Sequence, residues 1–223
     1  MQRQIKIMVL IGIIVLVAAF MGASYYRESV QSERKSSANG NNPLVRPDSQ
    51  SIGAADAPIT LVEFYDPECE SCREFHPRLK RILKDYDGKI RFVARYMPLH
   101  SNSVAAAVVT EAAGEQGKYW EMQEMLFKRQ SEWSAGHGSH AASEHREPPT
   151  ALFERYALEL GLNLEKLRVA VGQNRYALKV ERDRKDGQSL GVSKTPTFFV
   201  NGRMLARFSE ADLRSLINEE LSK

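Results

Sequence analysis

Only two cysteines occur in the 223 residues, Cys69 and Cys72, and they stand where a buried strand gives way to a helix. Ahead of them, Ile59–Tyr65 is β-branched and apolar and predicts a buried strand, which Asp66-Pro67 ends. Beyond them, Phe75, Leu79, Ile82 and Leu83 recur at helical spacing as far as Asp85. Asp87-Gly88 then turns the chain into a second strand over residues 90–97, parallel to the first if the helix is a crossover. C-x-x-C therefore opens the helix of a β-α-β unit. With no other cysteine there is no disulfide framework: these two sulfurs pair with each other, bind something, or do neither.

Residues 101 to about 190 read as helical, with an alanine-rich stretch over 104–113 and an aromatic and Met stretch over 119–127. A polar loop over 134–149 separates these from short amphipathic helices at 151–160 and 164–171 and a more charged one at 176–190. The chain ends strand-like. Thr197-Phe198-Phe199-Val200, Asn201-Gly202 and an apolar run over 203–208 predict a hairpin. Ser209 with Asp212 then caps a last helix whose buried stripe is Leu213, Leu216, Ile217 and Leu221. The order is βαβ, a helical block, then ββα. A block of roughly 85 residues is too long for a loop and must be an inserted helical subdomain.

The N-terminus is of another kind. Arg3 and Lys6 precede an apolar run from residue 7 to 23, followed by Tyr25, Tyr26 and Arg27. The run is close to the ~20 residues that span a bilayer, and the tyrosines fall where an aromatic belt sits. The small-residue pattern of a cleaved signal peptide is weak here, so residues 1–26 are read as an uncleaved single-pass signal anchor. Residues 27–51, rich in Ser, Asn, Gln and Gly, are read as a flexible linker, and 52–223 as the exported domain. The formal charge of +3 belongs to the first 50 residues; the rest is neutral, which argues against nucleic-acid binding.

At a helix N-terminus the free backbone N–H groups and the dipole favour a thiolate, so Cys69 is expected to be the attacking or attacked sulfur and Cys72, one turn inside, the resolving one. Glu63, on the strand entering the motif and flanked by Leu61, Val62, Phe64 and Tyr65, can point under the helix toward Cys72 and relay its proton. Thr195-Pro196 directly precedes a strand; sequence alone does not decide whether that bond is cis.

Val62-Glu63-Phe64, the C-x-x-C, Gly117-Lys118-Tyr119-Trp120-Glu121-Met122 and Thr195-Pro196-Thr197-Phe198-Phe199-Val200-Asn201-Gly202 together resemble the DsbA-like branch of the thioredoxin superfamily, over about residues 52–221. The resemblance implies an α/β thioredoxin fold with a helical insertion, at about 101–190. It implies thiol–disulfide exchange on exported client proteins, with no dissociable cofactor. Pro196 would be the cis-proline beside the cysteines, Thr195 would help bind the client backbone, and Glu63 would be the buried acid. A membrane redox partner is required, either a quinone-linked oxidase or an electron donor. The expected setting is the periplasmic side of a bacterial cytoplasmic membrane, as a monomer.

Between the cysteines the chain departs from the family. DsbA oxidases commonly carry Pro-His there, and this chain has Glu70-Ser71. Glu70 and Glu68, taken as exposed charges, oppose a thiolate and Arg73 partly offsets them. A less acidic Cys69 and a weaker oxidant than a Pro-His enzyme are expected. Thr195 also resembles the isomerase relatives, so a reductase or isomerase stays open as the alternative to a disulfide donor. A metal site built on Cys69, Cys72 and a histidine (His76, His100, His137, His140 or His145) falls short in ligand number and spacing. A chaperone-like adaptor would use Tyr119, Trp120 and the Met residues as a peptide groove, although such a stripe is more often core.

Overall fold

The structure, a computed structural model, describes residues 42–135 and 147–223. The chain divides into two units, residues 1–47 and 48–223. In the first, a turn closes on Asn42, whose side chain accepts from the Leu44 N–H at 2.9 Å. The signal anchor expected over residues 1–26, and most of the linker, lie outside the described residues. No helix among the described residues is long and apolar enough to cross a membrane.

The second unit is built on a five-stranded sheet in the order β1-β3-β2-β4-β5. β2 (Ile59–Tyr65) and β3 (Ile90–Tyr96) run parallel, joined by α1 (Glu70–Asp85). β4 (Thr197–Val200) lies antiparallel on the other side of β2, and β5 (Arg203–Met204) pairs with it. α8 (Glu210–Leu221) closes the chain, capped by Ser209, whose hydroxyl accepts from the Asp212 N–H at 3.0 Å. Between the halves come α2 (Ser103–Gly114), α3 (Tyr119–Lys128), α4 (Gln130–Trp133), α5 (Pro149–Glu159), α6 (Leu164–Gly172) and α7 (Asn174–Ser189). The expected βαβ, helical block and ββα follow one another in the observed order, with an added first strand and the short helix α4.

Two details differ from the sequence reading. Gln50–Ile52, read as the linker's end and the domain's first residue, forms an edge strand, β1, antiparallel to β3. Backbone pairing sets it, and three residues hold no periodicity to read. Gly53 ends it with φ 95, where a Cβ would sit 2.2 Å from the Ile90 carbonyl oxygen, so only glycine fits. The run over 203–208 is not a full strand: only two residues pair, and Phe208 folds back against Phe75 and Phe198. The Asn201-Gly202 turn does form, with φ 48 and 86, both positive as a two-residue hairpin of this kind demands.

Two cores result. One joins the sheet to α1 and α8 through residues such as Leu61, Phe75, Leu79, Ile82, Phe92, Phe198 and Leu213. The other lies within the insertion around Val109, Met122, Leu126, Trp133, Phe153 and Tyr156. The α3 stripe is core and not a groove: Tyr119 and Met122 are buried, and Trp120 packs on Phe92. α7 reaches the sheet by charge. Arg95 of β3 is fully buried and donates to Asp183 at 2.9 Å and Asp186 at 2.6 Å, and Lys179 pairs with Glu111 of α2 at 2.6 Å.

Candidate active site

β2 alternates its side chains, and Ile59, Leu61 and Tyr65 pack in one core with Cys69, Cys72 and Phe75. The same alternation turns Glu63 toward that core, where it is only 5% exposed. Burial, and secondarily the charge of Cys69, push its carboxyl up to about 8.

Cys69 is the N-cap of α1, in extended conformation with φ −73 and ψ 123. Its N–H donates to the Asp66 carbonyl at 3.1 Å, and its own carbonyl accepts from Arg73 N–H at 3.1 Å, the first bond of the helix. Cys72 lies in the first turn and is buried. Both cysteines are free thiols. A hydrogen bond from Cys72, against the opposing effect of burial, brings Cys69 down to about 5, and the N–H groups of Cys72 and Ser71 add to it. Burial pushes Cys72 the other way, well above the usual thiol range, and the Cys69 contact and the charge of Glu63 add to that. Two thiols of one motif are thus shifted in opposite directions, Cys69 down and Cys72 up.

The Thr195–Pro196 bond is cis. Thr195 presents its carbonyl to Cys69, whose thiol donates to it at 3.4 Å. Pro196 is buried behind it, and Thr197 closes the loop by donating to the Lys194 carbonyl at 2.7 Å. All five residues singled out in the sequence, Cys69, Cys72, Glu63, Thr195 and Pro196, belong to one place: the N-terminus of α1, the strand beneath it and the loop facing it.

One expectation about this place fails. Glu68 is not an exposed charge; it is 4% exposed. It accepts from the N–H groups of Asn102 and Ala135, both at 2.6 Å, and ties the loop before Cys69 to the insertion. Glu70 is exposed as expected, with Arg73 at 3.9 Å. Other supports went unread in the sequence because their partners lie far along the chain. Gln130 donates to the carbonyls of Pro67 at 2.9 Å and Cys69 at 3.1 Å. Asp66, read only as a strand breaker, is fully buried and accepts from Glu68 N–H at 2.8 Å, Leu99 N–H at 2.6 Å and the Ser103 hydroxyl. It also meets Nδ1 of His100 at 2.7 Å. His76 packs on Phe127 with ring centroids 5.1 Å apart. Among the described residues no three potential metal ligands cluster. His137, His140 and His145 lie outside the described residues.

Residues 46–219 match the family model described as thioredoxin, and the chain belongs to that family. A curated relative, the Na(+)/H(+) antiporter NhaA 3 of Salinispora tropica, is 37% identical over 163 residues, which cover 71% of this chain but 22% of the antiporter. The chain thus spans less than a quarter of that relative's length. Among solved structures, a thioredoxin-like oxidoreductase from Silicibacter pomeroyi superposes with a TM-score of 0.67 at 24% identity, over 82% of this chain and 98% of that one. Oxidised BdbD from Bacillus subtilis gives 0.65 at 24% identity, over 78% and 94%. These last two likenesses are of fold.

Proposed function

We propose that the chain is a thiol–disulfide oxidoreductase that exchanges a Cys69–Cys72 disulfide with client cysteines, assisting disulfide formation. The observation that carries this is the split between the two thiols, Cys69 at about 5 and Cys72 raised, at a helix N-terminus facing the Thr195–Pro196 loop.

Starting from the enzyme disulfide, a client thiolate attacks Sγ of Cys69. The Cys69–Cys72 bond breaks, and its electron pair leaves on Cys72. That sulfur favours a proton in its buried site, and Glu63, still largely protonated near pH 7, supplies it. A second client thiolate then attacks the client sulfur of the mixed disulfide and releases Cys69. A thiol of low pKa leaves readily, so this step favours the client disulfide. The client has lost two electrons, the enzyme holds a dithiol, and a membrane redox partner must restore the disulfide. In the mixed disulfide, Thr195 offers backbone hydrogen bonding to the client segment.

The Cys69 value also supports the reductase or isomerase reading as a second possibility. It lies between the ~7 of thioredoxin and the ~3.5 of DsbA, so the chain is a weaker oxidant than DsbA.

The chain is further proposed to be a monomer held on the periplasmic side of the cytoplasmic membrane by residues 1–26 and their linker. The apolar N-terminal run supports this. Trapping tests the chemistry: Cys72→Ser should accumulate mixed disulfides on non-reducing gels and Cys69→Ser none. Efficient turnover by Cys69→Ser would overturn the assignment of roles.

A further inference from the structure

Two buried carboxylates, Asp66 and Glu68, stand three residues and one residue before Cys69. Anions so placed disfavour a second negative charge on the neighbouring sulfur. The segment between the cysteines, Glu70-Ser71, supplies no cation, and Arg73 is engaged by Glu70 at 3.9 Å and Glu74 at 3.7 Å. Beyond the hydrogen bonds that already favour it, a thiolate at Cys69 gains from any further source of positive charge.

We propose that His100, held by Asp66, is that source: a positioning residue whose imidazolium offsets the buried Asp66 charge and tunes Cys69 from outside the C-x-x-C motif. The geometry carries it. Asp66 has four acceptor positions, and Glu68 N–H, the Ser103 hydroxyl, Leu99 N–H and Nδ1 of His100 fill them. An Asp66 so surrounded by donors is the carboxylate, so Nδ1 of His100 carries a proton toward it and Nε2 is the nitrogen that titrates. His100 is a quarter exposed and lines a cleft of about 260 Å³ together with Glu68 and Glu70, the residues on either side of Cys69.

Among the described residues, the charges that bear on this imidazole include Asp66, Cys69 and Glu68, with Glu70 on the same cleft. Burial alone lowers the pKa of His100, but the hydrogen bond and charge of Asp66, with help from Cys69 and Glu68, outweigh it and raise the value. Since a charge on Cys69 favours the imidazolium, the imidazolium favours the thiolate by the same free energy. As pH rises through the His100 value, the cation beside Asp66 is lost. The thiolate of Cys69 is then held less strongly and the dithiol form loses stability relative to the disulfide.

This rests on the exchange reading only in taking Cys69 as the reactive sulfur. The test is an NMR pH titration of the imidazole C–H signals of the full chain, in dithiol and disulfide forms, with the His100 signal assigned by its loss in His100→Gln. The expected result is a His100 pKa lower in the disulfide form by about half a unit to one unit, the size of a nearby partly screened charge. Equal values in the two forms would overturn the proposal. His100→Gln should also raise the Cys69 pKa read from alkylation rates by a similar amount. That makes the glutathione exchange constant about 3- to 10-fold more reducing, or ~15–30 mV. An unchanged alkylation profile in the folded variant would count equally against it. If no Cys69–Cys72 disulfide forms at all, the proposed function fails. If it forms and His100 is indifferent to it, only this inference fails.

Discussion

Cys69 and Glu63 titrate in opposite senses, and their effects on stability can be separated. The folded-state value of Cys69 is depressed, so its contribution to the dithiol form is fully present above the ordinary thiol value of about 9 and is lost as pH falls through about 5. Alkylation of the full chain by iodoacetamide should therefore follow a single ionisation near 5, with Cys72 reacting far more slowly. An inflection near the ordinary thiol range would contradict the site as described. Glu63 is a carboxyl with a raised value, so the folded state binds more protons than the unfolded one. Stability falls as pH rises from about 4.5 to about 8. In the disulfide form, where Cys69 carries no titrating proton, Glu63→Gln should remove that slope. Urea unfolding at pH 9 should then show a gain on the order of a few kcal/mol, smaller than in the dithiol form because the Cys69 charge is absent, and vanishing below pH 4.5. The same change should slow the release of Cys72 by a factor on the order of 100, because the relayed proton is gone. A substitution that is neutral at every pH would mean that Glu63 is not the buried acid.

At the scale of elements, what could be read in the sequence was what local chemistry dictates. The strand Ile59–Tyr65, the helix behind the cysteines and the Asn201-Gly202 hairpin carry their signals within a few residues. Cys69, Cys72 and Glu63 could be brought together from the strand and helix alone, whereas setting Thr195 and Pro196 beside them needed the family resemblance; in the structure the Thr195 carbonyl lies 3.4 Å from the Cys69 sulfur. The rest depends on partners far along the chain. The charges of α7 look like a solvated surface in sequence, yet Asp183 and Asp186 turn inward because Arg95 lies 88 and 91 residues away on β3. Glu68 reads as exposed until Asn102 and Ala135 close over it. Removing one partner strands a buried charge, so Arg95→Met should cost about 3–5 kcal/mol in urea unfolding. A loss below about 1 kcal/mol would show that Asp183 and Asp186 find compensation elsewhere. The hairpin is tied down similarly. Asn201 adopts φ 48, accepts from Thr60 N–H at 2.8 Å and donates to the Pro58 carbonyl at 3.1 Å. Asn201→Ala should cost about 1–3 kcal/mol, and Asn201→Gly less, because glycine keeps the backbone freedom and loses only the side-chain bonds. Equal costs would mean that the bonds alone matter.

At the largest scale, residues 48–223 form a thioredoxin-family sheet with a helical insertion, parts of which pack against the N-terminus of α1. Glu68, Gln130 and Asp66 each join the C-x-x-C loop to the insertion or to the loop that leads into it, so the reactive sulfur is held from several directions. The central claim is that this frame keeps Cys69 and Cys72 in reversible exchange with client thiols. It is tested most directly by equilibrating the full chain with glutathione buffers of graded poise and reading the thiol state by alkylation and mass. The account predicts one two-electron transition confined to Cys69 and Cys72, at a potential between the ~−120 mV of DsbA and the ~−270 mV of thioredoxin. The end of that interval nearer DsbA would mark a disulfide donor, and the other end a reductase or isomerase. Absence of a Cys69–Cys72 disulfide at every poise would contradict the account.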